Sequence, residues 1–111
     1  FFPLAGGFLT GKYERGKPAP KGSRGETKDY VQAYMVDEVY DVIEALTAWA
    51  EERGHTMGEL AHSWLLSFPQ VSSVISGATK VEHVIANSKA GDWQLTQAEA
   101  DEVNAILAHK V

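Results

Sequence analysis

From Asp37 onward, apolar residues return every three or four positions. Val39, Val42, Ile43, Leu46, Trp49 and Ala50 make one stripe, and Glu38, Asp41, Glu44, Glu51 and Glu52 take the opposite face. This spacing predicts an amphipathic helix, stopped by Gly54 where a left-handed residue closes a helix end. Thr56-Met-Gly-Glu59 is a capping box that opens a second helix with Leu60, Ala61, Trp64 and Leu65 inward, and Pro69 follows its end. The β-branched run Val71-Ser-Ser-Val-Ile75, bounded by Pro69 and Gly77, reads as a short strand. Two more capping boxes, Thr79-Lys-Val-Glu82 and Thr96-Gln-Ala-Glu99, predict a helix through about Lys89 and a terminal helix. The latter packs Val103, Ile106 and Leu107, with Leu95 as a hydrophobic staple.

The N-terminal part is patterned differently. Residues 1–9 are apolar and then glycine-rich, as at the end of a buried strand entering a turn. Residues 14–29 carry glycines, prolines and charges without periodicity, and the segment 14–36 reads as one long loop. Loops beyond about 12–15 residues inside a compact domain tend to be functional lids or disordered segments. The expected organisation is α/β: strand and glycine turn over 1–13, loop over 14–36, two helices over 37–68, strand over 71–76 and helices over 79–111. Two strands alone leave sheet edges and helix faces uncovered, so the pattern looks like part of a larger fold.

Composition narrows the class. The chain has 111 residues, 44% of them hydrophobic and 23% charged, as in an ordinary globular domain. That length excludes a complete (β/α)₈ barrel, which needs about 250 residues. The absence of cysteine removes disulfides, thiolate metal sites and cysteine nucleophiles, and makes a cytoplasmic location the default expectation. No apolar run approaches the roughly 20 residues of a membrane span, and no secretory leader is visible. The chain opens on Phe1 rather than Met, so its first residue need not be a natural start.

The net charge of −5 argues against nucleic-acid or anionic-membrane partners. Its distribution is uneven. Between positions 12 and 28 six basic residues face only Glu14 and Glu26, whereas from 29 onward four basic residues face thirteen acidic ones. The basic stretch is either a lure for a small polyanion or a solvated loop.

Two segments carry candidate chemistry. Val74-Ile75-Ser76-Gly77-Ala78-Thr79 reads as strand end, glycine turn and capped helix start, a junction whose amides and dipole favour anions, with Lys80 and His83 flanking it. An ordinary βα turn has the same pattern. Gly6-Gly-Phe-Leu-Thr-Gly11-Lys12-Tyr13 nearly matches a P-loop, but Tyr13 replaces the Mg²⁺-binding hydroxyl and a loop follows where a helix is required, which excludes an NTPase. His55, His62, His83 and His109 lack metal-ligand spacing, and His62 reads as a structural core histidine. Trp49, Trp64 and Trp93 read as core or interface residues. No Ser-His-Asp constellation assembles from local motifs, and no metal site or catalytic centre emerges.

Four segments taken together carry a family likeness. Pro3-Leu4-Ala5-Gly-Gly7-Phe-Leu9-Thr10-Gly11-Lys12-Tyr13, Gly22-Ser23-Arg24, Leu60-Ala61-His-Ser-Trp64-Leu65-Leu66, and Val74-Ile75-Ser-Gly77-Ala78-Thr79 with Asn87 resemble, in that order, the C-terminal part of an aldo-keto reductase. The resemblance implies a C-terminal fragment of a TIM (β/α)₈ barrel: strands 7 and 8 with their helices and the C-terminal helix. It also implies NADP as cofactor and aldehydes or ketones as substrates. Barrels commonly bind phosphate after strands 7 and 8, which agrees with the anion sites above.

By the same resemblance Leu4 and Ala5 line the cofactor diphosphate, and Lys12 and Arg24 contribute charge from the loop over it. Gly77 and Ala78 are cofactor-binding positions of the turn, and Thr79 matches the family's hydroxyl or basic position near the adenosine 2′-phosphate. His83 takes a position usually held by Arg or Gln, and Asn87 meets the adenine. Phe2 and Ala86 stand where many members have Ser and Glu. The family's catalytic Asp, Tyr, Lys and His belong to earlier strands, so no catalytic residue carries over. The implied function is the cofactor-binding part of an NADP-dependent oxidoreductase, inactive alone. The alternative is a non-catalytic nucleotide-sensing or protein-interaction module. Expected partners are a carbonyl substrate in a completed barrel, the N-terminal barrel half, or a second copy of the chain.

Overall fold

The computed structural model describes residues 2–110; Phe1 and Val111, at the ends of the expected terminal segments, and the side chains of His109 and Lys110 lie outside the described residues. Two long helices form where the apolar stripes predict them. Helices α1 (Arg24–Thr27) and α2 (Asp29–Gln32) are single turns, followed by α3 (Asp37–Glu51), α4 (Met57–Leu66), α5 (Val81–Ala90) and α6 (Gln97–Lys110). A 3₁₀-type segment, Ala5–Thr10, precedes them.

The helix ends follow the local chemistry closely. Gly54 closes α3 at φ +75°, with the Gly54 amide donating to Glu51 O and the His55 amide to Ala50 O. A residue with a Cβ would strain there. Thr56 Oγ1 accepts the Glu59 amide at 3.1 Å and caps α4. Thr96 and Glu99 form a reciprocal box at α6: Thr96 Oγ1 accepts from the Glu99 amide, and Glu99 Oε1 from the Thr96 amide.

Four expectations are corrected. Among the described residues no strand forms, either over 1–13 or over 71–76. A strand is stable only beside a neighbour that satisfies its amides and carbonyls, and the described residues supply none. The N-terminal segment instead turns sharply through Ala5, Gly6 and Gly7, with φ of +50°, +69° and +98°. The loop 14–36 is partly helical, because α1 and α2 fold within it. Finally, Thr79 does not cap α5; Lys80 occupies the cap position, and the Thr79 amide donates to His83 Nδ1 at 3.3 Å.

Two apolar clusters hold the helices. Leu46, Trp49 and Ala50 of α3, Met57, Leu60 and Ala61 of α4, and Val103 of α6 form the first, with Trp64, Trp93, Leu95, Ile106 and Leu107 packed around it. Phe8, Tyr13, Val31, Tyr40 and Ile43 form the second, beneath the loop. Each large side chain buried this way contributes about 1.5–3 kcal/mol. His55 stacks on Trp93 at 3.8 Å, Trp93 on Trp49, and the Arg53 guanidinium lies over Trp49 at 3.8 Å while reaching Glu102 of α6.

The loop is fastened at two points. Arg15 binds three carboxylates on the outer face of α3, Asp37 at 2.9 Å, Asp41 at 2.6 Å and Glu44 at 3.0 Å. These bonds hold the Arg15 guanidinium charged well above the ordinary arginine range and hold Glu44 below the ordinary glutamate range. Below it, Tyr13 stacks on Phe8 and its hydroxyl accepts the Gly25 amide at 2.9 Å. A Cβ on Gly25 would lie 2.4 Å from Tyr13 Cε1, so this contact requires glycine.

Candidate functional site

The glycine turn, the start of α1, the start of α4 and the segment leading into α5 converge on one cleft of about 1060 Å³. Ligand pockets commonly span 300–1,000 Å³. Of the nine residues that the sequence singles out, eight line this cleft: Leu4, Lys12 and Arg24 on one side, and Gly77, Ala78, Thr79, His83 and Asn87 on the other. Ala5 does not. Its left-handed backbone turns it away to pack against the second cluster.

The cleft has a cationic wall. Lys12 lies 5.8 Å from the Tyr13 ring centroid, and among the described residues neither Lys12 nor Arg24 is in an ion pair. The charge stretch seen in the sequence is therefore divided. Arg15 is consumed by α3 and Lys17 pairs with Glu14, while Lys12 and Arg24 face the cleft, joined by Lys89 of α5. Gly7 forms part of the floor, and a Cβ there would meet Lys12 Cε and Nζ at 3.1 Å. Ser23 Oγ, also at the cleft, is buried without a hydrogen-bond partner. A backbone cradle, an orphaned hydroxyl and lysine and arginine head groups together fit a phosphate-bearing ligand.

On the opposite wall Asn87 Nδ2 donates to Gly77 O at 3.3 Å and pins the turn to α5. Glu59 lines the cleft but is committed to His55 at 2.8 Å. Burial pushes its carboxyl upward, but the bonds from His55 and Thr56 outweigh this and hold it below the ordinary glutamate range.

One part-buried polar pair at the cleft is one the sequence did not reveal. His62, 5% exposed on α4, places Nδ1 2.7 Å from Gly58 O and Nε2 2.5 Å from Ser76 Oγ. The sequence reads His62 as a structural helix residue, and it is buried; nothing local tied it to a serine fourteen positions on.

The cleft thus brings together a glycine turn, two cations outside any ion pair among the described residues and, opposite them, the segment leading into α5. The chain belongs to the aldo/keto reductase family, whose sequence model matches residues 1–108. It is 38% identical to proteins named "Probable voltage-gated potassium channel subunit beta" from Oryza sativa and Arabidopsis thaliana, over 97% of this chain and 34% of each of theirs. It is 33% identical to the L-glyceraldehyde 3-phosphate reductase of Escherichia coli K12, over 81% of this chain and 27% of that protein. The chain thus spans about a third of the length of the curated relatives it matches. Members of the family typically depend on NAD(P)H, and the fold from which this helical unit derives is the TIM barrel.

Proposed function

We propose that the chain supplies the cofactor-binding end of an NADP-dependent carbonyl reductase. The single observation that carries this reading is the convergence of Lys12, Arg24, the Gly7 floor and the orphaned Ser23 hydroxyl on one cleft with Thr79, His83 and Asn87. Lys12 and Arg24 would hold the diphosphate, Leu4 and the turn at Gly77 and Ala78 would flank it, and Thr79 and His83 would meet the 2′-phosphate. Lys12 and Arg24 would meet a diphosphate that NAD and NADP share, so the preference for NADP rests on Thr79 and His83 at the 2′-phosphate. When bound, the nicotinamide supplies hydride. The residues of this chain hold and orient, and the proton donor to a carbonyl substrate belongs to the part of the family's length that this chain does not span.

NADPH titration followed by tryptophan fluorescence tests the reading on the chain alone and after mixing with the N-terminal part of a family barrel. Saturable binding strengthened by the second piece, with carbonyl reduction only in the mixture, is expected. Carbonyl reduction by the 111 residues alone, or no binding in either condition, would overturn it.

A second reading has its own observation. Ile75, just before α5, and Val81, Val84 and Ile85 within it are 57–87% exposed. Large apolar side chains left in solvent in one stretch of chain favour association. Together with the potassium-channel-subunit names of two relatives, this exposure supports an interaction module that keeps the nucleotide corner, with the N-terminal barrel half or a second copy as the covering partner. Sedimentation or light-scattering mass separates a defined oligomer from a monomer.

A further inference from the structure

The Ser76–His62 pair lies outside the phosphate-binding argument and has a chemistry of its own. Gly58 O is an acceptor only, so in neutral His62 the proton sits on Nδ1 and is held there by the 2.7 Å bond. Nε2 is then an acceptor, and the Ser76 hydroxyl at 2.5 Å must donate to it. The ring cannot swing away, because it is buried on α4 between the first turn of that helix and the segment carrying Ser76. A hydroxyl hydrogen-bonded to a base that is itself oriented by a third group is the arrangement that activates a serine nucleophile. The pair borders the cleft: His62 lines it, as do Ile75 and Gly77 on either side of Ser76, and Ser76 itself is half-buried beside it. Gly77 and Ala78, whose amides follow the hydroxyl directly, line it too.

We infer that Ser76 and His62 form a nucleophilic dyad that accepts an acyl group from small carboxylic esters. Ser76 Oγ attacks the ester carbonyl carbon as its proton moves to His62 Nε2. The carbon–alkoxide bond breaks, and the alcohol leaves with that proton. Water, deprotonated by the same nitrogen, then attacks the seryl ester and releases the carboxylic acid, returning the proton to Ser76. The Gly77 and Ala78 amides are the donors nearest in sequence to the developing oxyanion. Lys12, Arg24 and Lys89 favour esters that carry a negative charge elsewhere in the molecule.

The test needs no nucleotide. The chain is treated with p-nitrophenyl acetate and, separately, with an alkyl fluorophosphonate, and the adduct is located by peptide mass spectrometry. One acetyl or phosphonyl group per chain on Ser76 is expected. Ser76→Ala abolishes the adduct, while Ser72→Ala, an exposed serine on the same segment, keeps it. His62→Gln, checked for retained helicity by circular dichroism, slows labelling by roughly 100-fold, the scale of a lost general base. Should His62→Gln fail to fold, the Ser76→Ala and Ser72→Ala pair decides. Adducts spread over surface lysines, labelling unchanged in Ser76→Ala, or an equal rate in folded His62→Gln overturns the dyad.

Discussion

Gly25→Ala decides whether the loop is packed as described, because the competing effects have opposite signs. Gly25 lies inside α1 with no positive φ, so in open space an alanine would stabilise the chain by roughly 0.4–1 kcal/mol through the unfolded state. The space is not open. The new Cβ would stand 2.4 Å from Tyr13 Cε1 and 3.1 Å from both Cζ and the hydroxyl. The obstacle is a ring only 6% exposed and stacked on Phe8 at 5.0 Å, so it cannot yield as a flexible chain end would. Overpacking of this kind costs about 1–3 kcal/mol. The Gly25–Tyr13 hydrogen bond would be lost with it, for about 1 kcal/mol more. The net expectation is a loss of about 1–3 kcal/mol, seen as a fall in the thermal midpoint of roughly 5–15 °C. Circular dichroism at 222 nm measures it. Shrinking the ring in Tyr13→Leu should make room, so the double variant should lose less than the two single losses combined. A midpoint that rises in Gly25→Ala, or losses that simply add, would refute the packing of the loop on Tyr13.

Lys12→Gln and Arg24→Gln should each weaken NADPH binding in the assembled barrel by about 10-fold or more, the scale of a charged hydrogen bond, and flatten its salt dependence; fluorescence titration at two ionic strengths reads both. Thr96→Ala should cost about 1 kcal/mol in urea unfolding, as for a lost cap. Thr79→Ala should stay within about 0.5 kcal/mol, since Thr79 Oγ1 caps nothing. Glu59 has its carboxyl lowered in the folded state, so its stabilising contribution is present above the ordinary value of 4.5 and is lost as pH falls through the folded value. Urea midpoints from pH 7 downward should therefore drop more steeply below about 4.5 in the wild-type chain than in Glu59→Gln, and parallel curves would remove Glu59 from the acid response.

The helices α3, α4 and α6 were legible because each has a stripe, a start signal or a stop signal that acts within a few residues. Gly54, Thr56 and Thr96 need no distant partner to do their work. The strands were misread for the converse reason: Val71–Ile75 has the composition of a strand, but composition does not supply the neighbouring backbone that a strand requires. The single turns α1 and α2 are too short to show a period. Gln32 reaches back to Gly25 O, a bond between two loop positions that no pattern announces. At Thr79 the local signal was present and lost to a competitor, the His83 ring. The cleft residues were found through family motifs, whereas Ser76 and His62 meet only because the irregular segment after α4 folds back along it.

Helix α3 belongs to both apolar clusters: Tyr40 and Ile43 near its start sit beneath the loop, and Leu46, Trp49 and Ala50 near its end anchor the α4–α6 unit. A rod shared by two cores cannot fray at one end without loosening the other. Amides of the loop and of α4 should then exchange with solvent in a single cooperative opening rather than as separate foldons. For a ligand seated between the loop and α5, the rigidity it meets on one wall is set by packing on the far side of a helix it never touches.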